Sequence, residues 1–114
     1  MKIPTVACRS VLVTGASSGI GWGTACYLRE AGWLVIPTAR KAEDLARLRA
    51  EGFQPVVLDL NDSASIGAAV DATLKLTGGR LGGLVNNAGY GQPGAIEDLS
   101  RDVIRRQFET NVFG

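Results

Sequence analysis

Gly15, Gly19 and Gly21, with Ser17 and Ser18 between the first two, follow directly on the apolar run Val11-Leu12-Val13. This is the pattern of a buried strand that turns sharply into a helix. Gly15 lets the backbone turn where a side chain would strain it, and Gly19 and Gly21 remove Cβ atoms from the helix start. The unpaired N–H groups and the positive end of such a helix suit a diphosphate. The backbone near Gly15 and Ile20 is expected to meet that group, with the Ser17 and Ser18 hydroxyls close to an adenosine ribose. The spacing Gly-x-x-x-Gly-x-Gly differs from the Gly-x-Gly-x-x-Gly of the commonest dinucleotide fingerprint.

A second group lies about twenty residues beyond the glycines, where a site for NAD places an Asp or Glu against the ribose 2′-hydroxyl. Here the stretch reads Thr38-Ala39-Arg40-Lys41, with no carboxylate. Two cations suit the 2′-phosphate of NADP, the planar guanidinium of Arg40 in bidentate fashion. The plainer alternative is a pair of solvated charges leading into a helix. The expected cofactor is therefore NADP(H), preferred over NAD.

The elements that must position these groups follow from hydrophobic periodicity, which alternates strand and helix along the chain. Strands are expected at about Ser10–Val13, Trp33–Ala39, Pro55–Leu58 and Leu81–Val85. The first helix runs from near Gly19 to Ala31 and is closed by Gly32. The second starts at Ala42, places Leu45, Ala46 and Leu48 on one face and ends at Gly52. The third starts at Asp62 or Ser63, carries Ile66, Val70 and Leu74 as its buried stripe, and ends at Gly78-Gly79. A last helix begins near Ser100, and its apolar positions Val103, Ile104, Phe108 and Val112 continue to the final residue. Its end reads as a cut through a longer helix. Strands separated by helices require a parallel sheet with right-handed crossovers. The fold class is α/β, a partial Rossmann sheet of order 3-2-1-4 lacking the C-terminal strands, in one domain over residues 1–114. Pro37 cannot donate to a ladder, so an irregularity or early end is expected in strand two.

Thr14-Gly15-Ala16-Ser17-Ser18-Gly19-Ile20-Gly21 together with Asn86-Asn87-Ala88-Gly89 resembles the short-chain dehydrogenase/reductase family. The likeness implies that Asn87, Ala88 and Gly89 stabilise the sheet and touch the cofactor ribose. It implies that Asp59 bonds the adenine amino group while the Leu60 backbone lines the ring. An acidic strand end helping to cap the next helix is the other reading of Asp59. Asn111 resembles the helix asparagine of the family's catalytic tetrad, which holds a water in a proton relay; the alternative is a helix amide facing solvent. The tetrad's serine and Tyr-x-x-x-Lys have no match, because the residues four beyond Tyr27 and Tyr90 are Ala31 and Gly94.

The family's activity would be NADP(H)-dependent interconversion of an alcohol and a small-molecule carbonyl compound, with this chain supplying the cofactor-binding half and inactive alone. The alternative is a non-catalytic nucleotide-binding half-domain that assembles with another chain, since strand four would have an open edge. A homo-oligomer is the other form that such assembly could take.

Composition excludes several other classes. A net charge of +1 offers no footprint for nucleic acid or an anionic membrane. No apolar run reaches the length of a transmembrane helix. Two cysteines and no histidine leave no metal-ligand set. A cytoplasmic protein with reduced thiols is expected.

Overall fold

The computed structural model describes residues 5–114, in which strands and helices alternate. They are β1 (Ser10–Val13), α1 (Gly19–Glu30), β2 (Leu34–Ala39), α2 (Ala42–Ala50), β3 (Val56–Val57), α3 (Ser63–Leu76), β4 (Gly83–Val85) and α4 (Arg101–Phe108). A short 3-10 turn at Ile96–Asp98 precedes α4, and a π-helical turn at Glu109–Phe113 follows it. All strand pairs are parallel, in the order β3-β2-β1-β4. That is the expected half of a doubly wound sheet, with shorter outer strands than the sequence suggests.

Side-chain alternation on β1 divides the interior in two. Val11 and Val13 join Val35, Ala39, Leu45, Leu48 and Phe53 beneath α1 and α2. Leu12 joins Ile36, Val56, Leu58 and Ala69 beneath α3. The edge of the first layer is closed by the Phe53 ring, which meets Trp22 edge-on at 5.8 Å and carries the Arg29 guanidinium at 4.1 Å.

Pro37 departs from expectation: β2 neither breaks nor ends there, and Pro37 sits opposite Val13 in an unbroken ladder. The Leu34 N–H donates to Arg9 on the β1 side, whereas the Ala39 carbonyl accepts from Leu58 on the β3 side. Backbone groups of odd-numbered residues therefore face β3, and pairing with β3 begins only at Thr38 opposite Val56. The missing donor falls just ahead of the ladder, where no partner needs it.

In α3, Ile66 packs against the core as expected, but the rest of the buried stripe differs. Ala69 and Thr73 face the sheet, and Val70 and Leu74 are exposed. Both sets fit a 3.6-residue period. The small side chains win because they let the helix lie close to the sheet. The Thr73 hydroxyl is neutralised by donating to the Ala69 carbonyl at 2.7 Å. Likewise Leu45 and Leu48 of α2 are buried but Ala46 is not. The Asp62 carboxylate caps α3 by accepting from the Ala64 N–H at 2.9 Å. Asp62→Ala is expected to cost about 1 kcal/mol in a urea melt; an unchanged midpoint would mean the cap contributes nothing.

The last helix does not run on as an α-helix. Its regular bonding stops at Phe108, and the Gly114 N–H reaches back to the Glu109 carbonyl at 2.9 Å to close a wider turn. Two adjacent side chains there are anchored to different loops. Thr110 donates to Asn61 Oδ1 at 2.7 Å, and Asn111 is bonded to the backbone of Tyr90. The extra residue in the turn lets both reach their partners.

Candidate functional site

The segments leaving the four strands surround a cleft of about 980 Å³. Its floor is the junction of β1 and β4. The buried Thr14 oxygen accepts from the N–H groups of Asn87 and Ala88, each at 3.0 Å. The Asn87 side chain returns the link, its Nδ2 donating to the carbonyls of Thr14 at 3.0 Å and Gly15 at 3.1 Å. Asn87 is thus a poor strand former whose two side-chain N–H groups are both used. Asn87 is half-buried, whereas its neighbour Asn86 is exposed.

Gly15, at φ +63°, lies so close to this junction that a Cβ would meet Ala88 Cα at 2.8 Å. Gly21 is pressed against the Gly15 carbonyl and Asn87 Nδ2, so it supports the turn from behind. Gly19 has open space around it and is needed for its φ of +57°. The flank of the turn is held by β2. The Gly15 N–H donates to the Thr38 hydroxyl at 3.2 Å, and the Ala16 N–H to the Thr38 carbonyl at 2.9 Å.

Of the residues expected at the site, Gly15, Ser17, Ser18, Arg40, Lys41, Asp59, Leu60, Asn87, Ala88 and Gly89 line this one cleft. Gly19, Ile20 and Gly21 lie at the start of α1, outside the lining, and Ile20 is almost fully exposed. Asp59 does not cap α3, a task that Asp62 performs. Its carboxylate instead accepts from the backbone and side chain of Asn61, at 3.0 and 3.2 Å.

Asn111 lies outside the lining, and its amide is not spent on solvent. Its Oδ1 accepts from the Tyr90 N–H at 3.0 Å and its Nδ2 donates to the Tyr90 carbonyl at 2.7 Å. Gly89 permits this approach, for a Cβ there would sit 3.0 Å from Asn111 Oδ1.

Sequence reasoning passed over Thr38 and Arg47, and treated Thr14 only as the lead residue of the motif. For the two threonines the available signal was a hydroxyl at the end of an otherwise apolar strand. Arg47 looked like any charge on a surface helix. In the structure it lines the cleft beside Arg40 and Lys41. Lys41 makes an exposed ion pair with Glu43 at 3.7 Å, whereas Arg40 has no carboxylate partner among the described residues.

The glycine turn and the cleft together can hold a dinucleotide. Known proteins resemble this chain. Residues 9–114 match the family model for short chain dehydrogenases. An oxidoreductase of Escherichia coli, YbbO, is 41% identical over 106 residues, which are 93% of this chain and 39% of that protein. A 3-ketodihydrosphingosine reductase of Bacteroides thetaiotaomicron is 39% identical, over 91% of this chain and 37% of its own. Among solved structures, a 3-ketoacyl-(acyl-carrier-protein) reductase of Brucella melitensis complexed with NADH superposes with a TM-score of 0.85 at 32% identity, over 92% of this chain and 45% of that one. An actinorhodin polyketide ketoreductase with NADPH gives 0.80 at 34% identity, over 96% and 44%. The chain thus spans roughly two-fifths of the length of the proteins it matches. Over that span, this chain belongs to the short-chain dehydrogenase/reductase family of oxidoreductases.

Proposed function

We propose that residues 1–114 act as a single NADP(H)-binding domain of an oxidoreductase that interconverts an alcohol and a small-molecule carbonyl compound. The observation that carries this reading is the glycine turn locked to Ala88 and Asn87, which opens into a cleft rimmed by Arg40. In this reading the free N–H groups after Ala16 hold the diphosphate, and Ser17 and Ser18 face the adenosine ribose. Asp59 and Leu60 border the adenine, and Asn87, Ala88 and Gly89 the second ribose. When bound, the nicotinamide supplies or accepts the hydride. Asn111 takes the place of the tetrad asparagine and fixes the Tyr90 backbone at the cleft wall. No residue of these 114 is assigned the proton transfer, since Tyr27 and Tyr90 lack a lysine four residues on.

The exposed Leu84, Phe108 and Phe113 support assembly with a further copy or a complementing polypeptide. The free thiols of Cys8 and Cys26 fit a cytoplasmic setting. No helix among the described residues is long and apolar enough to cross a membrane.

Arg40 decides between the two nicotinamide cofactors. A hydrogen bond to a charged group contributes roughly 1.5–3 kcal/mol, or about ten- to hundredfold in affinity. Titrations of NADPH and NADH into the wild-type chain and Arg40→Ala test this directly. The substitution is expected to weaken NADPH by that factor and leave NADH nearly unchanged. An equal loss for both would remove Arg40 from the 2′-phosphate site.

A further inference from the structure

We infer that Arg47 is a positioning residue that braces the glycine turn from helix α2, and so sets nucleotide affinity whether or not a 2′-phosphate is present. The inference rests on the nucleotide-binding reading above for its effect on affinity, though not for the brace itself.

The turn from β1 to α1 is held unevenly. At its base, Thr14 and Gly15 are tied to Asn87, and on one flank Gly15 and Ala16 are tied to Thr38. Beyond Ala16 the chain is thinly anchored. Ser18 makes no side-chain cap to α1, and its carbonyl only starts the helix by accepting from Trp22. The one side chain that reaches Ser17 among the described residues is Arg47, whose Nη2 donates to the Ser17 carbonyl.

That arm is itself held. The same Nη2 lies 3.0 Å from Asp44 Oδ1, one turn earlier on α2, and the Asp44 side chain is only 20% exposed. Asp44 stands in the first turn of α2 and Arg47 in the last, each where the helix dipole favours its charge. The guanidinium is thereby fixed in direction, and its planar fork loses little freedom in reaching Ser17. Arg47 differs in this from Arg40, which stands at the same rim without a carboxylate partner among the described residues. Arg40 is free to meet a ligand's phosphate; Arg47 is committed to the protein backbone, and acts through the turn.

Amide exchange and nucleotide binding, measured on the full chain, test the two parts separately. Arg47→Ala is expected to speed exchange at the Gly15, Ala16 and Trp22 amides, whose acceptors belong to the turn or its flank. Exchange at Leu34 and Leu58, in the sheet ladder, should stay as it was. The same variant should bind NADPH and NADH each about tenfold more weakly, about 1.4 kcal/mol. Arg47→Lys, which can still donate to Ser17 and face Asp44, should recover most of both losses.

A loss confined to NADPH would make Arg47 a direct phosphate ligand and overturn the bracing role. Unchanged exchange at the three turn amides would overturn it as well. If exchange quickens as expected but the wild-type chain binds neither nucleotide, the brace stands and the nucleotide-binding reading falls.

Discussion

Gly15→Ala is expected to destabilise the fold by about 2–5 kcal/mol, far more than the same change at Gly19. Both glycines have positive φ, +63° and +57°, and an alanine in that region costs roughly 1–2 kcal/mol. Only Gly15 has a neighbour in the way. A Cβ there meets Ala88 Cα at 2.8 Å and Ala88 Cβ at 2.9 Å, whereas a Cβ at Gly19 meets nothing within 4 Å. Backbone cannot rotate aside as a flexible side chain does. Relief therefore requires β1 and β4 to separate where Thr14 and Asn87 tie them together, and overpacking of this kind costs a further 1–3 kcal/mol or so. Equilibrium urea unfolding of the two variants isolates the close approach, since the conformational cost is common to both. Equal losses at the two positions would show that the strands can part freely, and would remove the steric basis of the junction.

The second large effect is expected at Thr14. Thr14→Val keeps the shape and the β-branch but removes the oxygen that accepts from Asn87 and Ala88. The Asn87 N–H retains a second acceptor, the Val85 carbonyl at 3.1 Å; the Ala88 N–H has none among the described residues. Leaving this part-buried donor without its partner costs roughly 1–3 kcal/mol. Thr14→Ser keeps the acceptor and should recover most of the loss in the same urea measurement. A valine variant as stable as the wild type would mean that the Ala88 N–H finds another acceptor and that Thr14 is not the clasp between the strands.

These two positions show what can be read from the chain before folding. The glycines punctuate the alternation of strand and helix so plainly that the sheet order follows from connection rules alone. The glycine turn and Asn87-Ala88-Gly89 announce the cleft through residue types that are costly elsewhere in a strand or helix. What was not legible depends on partners distant in sequence. Thr14 and Asn87 are 73 residues apart, and nothing near either one predicts that their polar groups satisfy each other.

Arg47 was hidden for the same reason: in α2 it is one charge among several, and only the Ser17 carbonyl, 30 residues away in sequence, distinguishes it. The phase of α3 was ambiguous because its apolar side chains fit two stripes, and the sheet chose the one lined with small residues. For the last helix the apolar pattern was real, but it did not encode the pull of Asn61 and Tyr90 on neighbouring side chains.

Pro37 has a consequence for competing structures. β3 is only two valines long, too short for its side chains to choose one pairing with β2 over another displaced by two residues. A displaced pairing keeps the same faces buried, so burial does not penalise it. Set two residues back along β2, however, Val57 would lie opposite Pro37, and that ladder would need a donor that proline lacks. The observed pairing, starting at Thr38, makes no such demand. Proline in an internal strand thus serves as a stop against misalignment, making one of two nearly equivalent arrangements of the edge strand the poorer. The segment that leaves β3, with Asp59 and Leu60, is thereby delivered to the cleft in a single position.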